Sequence, residues 1–148
     1  MRSTINVREM PSKPTNPSVL AISPDEHDFE VLRRMIDPAW TLLQAPSVLA
    51  ALDAIGECHP VAVLCDTESR PGTWRDLLGH TAHSPDAPRL IVTSRLADET
   101  LWAEVLNLGA YDVLAKPFEA EEVCRILGMA CRQWANTSRS PSVRVANA

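Results

Sequence analysis

Short apolar runs alternate with amphipathic stretches from residue 18 to residue 134. Val19-Leu20-Ala21-Ile22 opens the series and Ser23-Pro24 ends this first run. The next stretch places Phe29, Leu32, Met35 and Ile36 on one helical face, and Asp37-Pro38 stops it. Trp40 to Gln44 reads as a second strand, and Pro46-Ser47 opens a second helix that runs to about Ile55. Val61 to Cys65 is a third strand. A loop with Arg70-Pro71-Gly72 then leads into a short helix near Trp74 to Leu78. Leu90-Ile91-Val92-Thr93 is the fourth strand. Leu101, Val105 and Leu108 predict the inner face of a fourth helix, with Gly109 as its stop. Tyr111 to Leu114 gives a fifth strand. The last helix follows Lys116-Pro117 and buries Val123, Ile126, Leu127, Ala130 and Trp134.

The strands are wholly apolar rather than alternating, as expected when helices cover both faces of a sheet. Five βα units therefore predict an α/β fold with a doubly wound, five-stranded parallel sheet. Five strands favour the flavodoxin-like order 2-1-3-4-5. With 148 residues, 45% of them apolar and 22% charged, the chain suits one soluble domain. We place that domain at residues 18–134, with residues 1–17 as a disordered lead-in and 135–148 as a flexible polar tail. Lead-in and tail are both basic, so the body between them is more acidic than the net charge of −5. An acidic body argues against nucleic acid as a direct partner.

No apolar stretch approaches the roughly 18 residues that a membrane span needs. The first residues lack the apolar core of a secretory signal, so a cytoplasmic location is expected. Cys58, Cys65, Cys124 and Cys131 sit in or beside apolar segments without C-x-x-C spacing, which favours reduced thiols. No glycine-rich phosphate loop and no G-x-S-x-G elbow occurs, so neither a flavodoxin-like enzyme nor a hydrolase is expected. His80 and His83 are spaced like a metal pair but have no further ligands nearby. His27 and Asp28 read as a solvated helix face.

Three residues at strand ends carry the chemistry. Asp66 follows the third apolar run, Thr93 closes the fourth, and Lys116 follows the fifth. Each alone has an ordinary reading: a turn or cap for Asp66 and Thr93, a surface lysine for Lys116. Together they converge on the carboxyl edge of a parallel sheet, where ligands collect in open α/β folds. A carboxylate, a hydroxyl and an ammonium are the groups that can accept and hold a phosphoryl group.

With these residues in place, the chain resembles the receiver domain of bacterial two-component response regulators. The resemblance rests on Pro60-Val61-Ala62-Val63-Leu64-Cys65-Asp66, on Leu90-Ile91-Val92-Thr93-Ser94, and on the run from Gly109 to Phe118 with its Lys116-Pro117 pair. It implies a stand-alone, chemotaxis-regulator-like receiver that accepts a phosphoryl group on Asp66 from a histidine kinase or phosphotransfer protein. Signalling would then pass to a downstream protein target by contact. It further implies that Thr93 hydrogen-bonds the phosphoryl group and that Lys116 ion-pairs with it, before a proline whose peptide bond is often cis in the family.

Two departures from the family pattern stand out. Receivers carry adjacent acids after the first strand, which help to hold Mg²⁺; here those positions read Ser23-Pro24. Asp66 remains as a metal ligand, with Asp25 and the backbone carbonyl of Glu68 as further candidates. The aromatic residue expected three positions before the lysine is Val113, while Tyr111 is expected on the same face two positions earlier. The alternative to a phosphorylated receiver is thus a degenerate one that binds a protein partner without phosphorylation. Trp102, Cys124 and Cys131 read either as an outer apolar patch for dimerisation or output, or as packing against a neighbouring helix.

Overall fold

The computed structural model describes residues 17–138, apart from 37 and 39. Ten elements alternate: β1 (Ser18–Ile22), α1 (Glu26–Met35), β2 (Thr41–Ala45), α2 (Val48–Cys58), β3 (Ala62–Asp66), α3 (Trp74–Thr81), β4 (Arg89–Ser94), α4 (Glu99–Asn107), β5 (Asp112–Ala115) and α5 (Ala120–Ser138). The strands form one sheet in the order β2-β1-β3-β4-β5, and every pairing is parallel. This is the doubly wound flavodoxin-like arrangement read from the sequence.

Alternate residues of each strand feed two separate cores. Leu20, Ile22, Val63, Cys65, Leu90, Val92 and Val113 pack with Val48, Ala51, Trp74, Leu77 and Val105, so α2, α3 and α4 cover that face. Val19, Ala21, Ala62, Leu64, Ile91 and Leu114 pack with Phe29, Leu32, Val123, Ile126, Leu127 and Ala130, the layer of α1 and α5. Burial of a large apolar side chain stabilises by roughly 1.5–3 kcal/mol. With both faces covered, β1 and β3 are buried at every position.

Helix starts follow local polar chemistry. Ser47 caps α2 by accepting from Ala50 N at 3.1 Å, and Thr73 with Asp76 forms a reciprocal capping box on α3. Asp25 caps α1, its Oδ1 accepting from His27 N at 3.0 Å. The helix ends differ from expectation. α2 and α3 each run three residues further, and α5 occupies the first four positions of the expected tail. The rest of that tail, and the expected lead-in up to residue 16, lie outside the described residues. On α4 only Val105 is buried. Leu108 is the C-cap and half-exposed, because the helix ends one residue before it instead of carrying it inward.

Candidate functional site

The two-core alternation places the chemistry. Leu64, Ile91 and Leu114 all face the layer of α1 and α5. Two residues further along each chain segment come Asp66, Thr93 and Lys116, which a period of two returns to that same face. Asp66 and Thr93 are register partners across β3 and β4. Lys116 lies just past β5, and its N–H continues the ladder to Ser94 O at 2.9 Å. The Lys116-Pro117 peptide bond is cis. The three sequence-predicted residues are thereby brought together at the carboxyl edge.

Their side chains converge on one carboxylate. Asp66 is 3% exposed. Its Oδ2 accepts from Thr93 Oγ1 at 3.2 Å and is ion-paired with Lys116 Nζ. Its Oδ1 accepts from Glu68 N at 2.8 Å. Glu68 thus enters the site through its amide N–H, with its side chain exposed. Ser69 pins the turn after β3, its N–H donating to Asp66 O at 3.2 Å and its hydroxyl to Ile22 O at 3.4 Å. Beside the site, burial and then the charge of Asp66 push the Cys65 thiol up to about 12, which keeps it protonated. All four cysteines are free.

A fourth member was not expected. Asp28 lies on α1 and is buried, not solvated, at 6% exposure. Its Oδ2 accepts from Lys116 Nζ at 2.8 Å and from Ser23 Oγ at 2.7 Å. Ser23, at one of the positions where acids were expected, therefore orients a carboxylate that comes from the helix. The sequence held a signal for this: Asp28, Leu32 and Met35 share the i, i+4, i+7 stripe of α1, and a charge on a buried stripe needs a partner. Lys116 has two such partners. Burial alone pulls its ammonium down, but the hydrogen bonds and charges of Asp28 and Asp66 outweigh that and leave its pKa above the ordinary lysine value.

Asp25 does not join this cluster. Its carboxylate caps α1 and lies 3.6 Å from Arg95 at the surface, because Pro24 turns the chain before the helix begins. Tyr111 packs against the α1/α5 layer, whereas Val113 belongs to the opposite core, so the two do not share a face; Tyr111 precedes β5 rather than lying in it. Cys124 and Cys131 are half-buried, with Cys124 Sγ donating to Met35 O at 3.2 Å and Cys131 packed on the α1/α5 core. They do not form an outer patch with Trp102. That ring is half-exposed on α4 together with Leu106 and the C-cap residue Leu108, and its Nε1 donates to Asp112 Oδ1 at 3.2 Å.

Solved structures share this architecture over nearly their whole length. A signal receiver domain from Vibrio parahaemolyticus superposes with a TM-score of 0.78 at 15% identity, covering 85% of this chain and 98% of that one. The receiver domain of a Francisella response regulator gives 0.71 at 20% identity, covering 80% and 98%. A chemotaxis response regulator of Vibrio cholerae gives 0.70 at 16% identity, covering 78% and 99%.

The chain has the receiver fold.

No protein-family model and no curated protein matches the sequence. No helix among the described residues is long and apolar enough to cross a membrane.

The Mg²⁺ that a receiver implies takes near-octahedral oxygen ligands, including one or two carboxylates. In this site Asp28 and Asp66 are the buried carboxylates, and the Lys116 ammonium is bound to both. Among the described residues no group of three or more His, Cys, Asp or Glu side chains is placed to hold a metal, His80 and His83 included. The residues therefore do not fit Mg²⁺ while Lys116 holds both carboxylates.

Proposed function

We propose that this receiver accepts a phosphoryl group on Asp66 from a histidine kinase or phosphotransfer protein and passes the signal on by protein contact. One observation carries the reading: a buried carboxylate at the sheet edge has a hydroxyl and an ammonium converging on a single oxygen. In the transfer, a carboxylate oxygen of Asp66 attacks phosphorus, a P–O bond forms and the P–N bond of the phosphohistidine breaks. The bonding electron pair returns to the imidazole nitrogen. The acyl phosphate adds negative charge, and Thr93 Oγ1 and Lys116 Nζ are the donors placed to follow its oxygens. Both sit at strand ends joined to loops, so their movement can reach the surface. The exposed apolar side chains Trp102, Leu106 and Leu108 support output through protein contact.

The test is incubation with acetyl phosphate, with and without Mg²⁺, followed by intact-mass measurement. The expected result is a gain of one phosphoryl group that disappears in Asp66→Asn. Absence of that gain under every condition, and with phosphorylated donor proteins, rejects the proposal.

A further inference from the structure

The acids expected after β1 are replaced by Ser23 and Pro24, yet the site does not lack a second carboxylate. Asp28 supplies it from α1, buried and aimed inward by the Ser23 hydroxyl at 2.7 Å. Two buried carboxylates side by side need a cation, since like charges withdrawn from water repel strongly. Lys116 Nζ meets that need, at 2.8 Å from Asp28 Oδ2 and ion-paired with Asp66 Oδ2, with its side chain 8% exposed. Thr93 and the Glu68 amide satisfy Asp66 further. Of the other acids just after β1, Asp25 is turned toward the helix N-terminus and Arg95, and Glu26 is exposed in the first turn of α1.

We propose that the Lys116 ammonium is the resident cation of this site and that it competes with a divalent metal ion for Asp28 and Asp66. An ammonium and a divalent ion cannot share two carboxylate oxygens without strong mutual repulsion. A divalent ion must therefore displace Lys116 before it binds, and the resting site stays metal-free. Asp28 is the positioning residue in this exchange: it holds Lys116 now and would be the second ligand of an ion that replaced it. The competition is a property of the resting site and holds whether or not Asp66 accepts a phosphoryl group.

The experiment is a titration with Mn²⁺ alone, read by paramagnetic broadening of the backbone amide signals of residues 66–69, with no phosphodonor present. In the unmodified protein these signals are expected to persist at millimolar Mn²⁺. Lys116→Met is expected to bind at the site about tenfold or more tightly than the unmodified protein, because the competing charge is gone. Adding Asp28→Asn to Lys116→Met is expected to abolish that gain. Selective broadening of residues 66–69 in the unmodified protein at micromolar Mn²⁺ would overturn the proposal, and this holds even if the variants do not fold. Folded Lys116→Met with no gain in affinity would overturn it too. Because no phosphoryl transfer is measured, failure of the phosphorylation assay leaves this result intact, and the reverse also holds.

Discussion

Asp28 and Lys116 lie 88 positions apart in the chain and meet at 2.8 Å, each side chain 8% exposed. The pair fastens the first helix to the segment after the last strand, across an edge where Asp66 already holds the same ammonium. Removing its two members should have unequal effects. Asp28→Ala leaves Lys116 paired with Asp66 and is expected to cost about 1–3 kcal/mol. Lys116→Ala leaves two buried carboxylates facing each other and is expected to cost about 3–5 kcal/mol. Urea denaturation of both variants checks the order; a Lys116→Ala protein as stable as Asp28→Ala contradicts it.

The same ammonium predicts a loss of stability at alkaline pH. Its pKa is raised in the folded protein, by Asp28 and Asp66 against the opposing effect of burial. The associated stability is complete below the unfolded lysine value of about 10.4 and declines as pH rises through the higher folded value. Unfolding free energies measured from neutral pH to beyond that value should fall, and fall less steeply in Lys116→Met. The thiols of Cys58, Cys65 and Cys131 are also raised by burial and lower stability over the same range in both proteins, so the difference between the two curves is what reports Lys116. Parallel curves for the two proteins would show that Lys116 has no such role.

Two glycine substitutions should act in opposite directions. Gly72 has φ +87°, and a Cβ there would lie 2.9 Å from Val48 Cβ, so Gly72→Ala combines strain with a clash and should cost about 1–3 kcal/mol. Gly56 is inside α2 with open space around its Cα, so Gly56→Ala should stabilise by roughly 0.5–1 kcal/mol. Thermal melts of the two variants provide the comparison, and shifts of the same sign would refute it.

Under the proposed function, Thr93 is expected to separate acceptance of a phosphoryl group from the response to it. In Thr93→Ala, Asp66 keeps Lys116 and the Glu68 amide, so the phosphoryl mass gain is expected to persist. The amide shift changes on phosphorylation around β4 and α4 are expected to shrink, since the hydroxyl that would follow the phosphoryl oxygen is missing. Undiminished shift changes in the variant would remove Thr93 from the relay.

The apolar runs made the sheet legible because all five strands are covered on both faces; their observed limits differ from the expected ones by a residue or so at either end. Helix ends were less legible, since caps and the last turns depend on polar contacts that periodicity does not see. Asp66, Thr93 and Lys116 could be found because each is a polar residue at the carboxyl end of an apolar run, two positions beyond Leu64, Ile91 and Leu114. Asp28 could not be found by that rule: it reaches the site from a helix, through contacts with Ser23 and a lysine 88 positions away. Asp25 misled in the opposite way. It is near the vacated acidic positions in sequence, but the helix N-terminus claims its carboxylate.

The pairing of strands, residue against residue, also sets how the site can fail. Thr93 meets Asp66 because both stand on the same side of the pleat. A one-residue slip of β4 against β3 would leave the backbone ladder largely intact and turn the Thr93 hydroxyl toward α3 and α4. Val92 or Ser94 would then stand opposite Asp66. Such a protein would stay folded and lose the Thr93–Asp66 contact at one stroke, so tolerance to insertions and deletions should be lowest within β3, β4 and β5 and greatest in the loops at the opposite edge of the sheet.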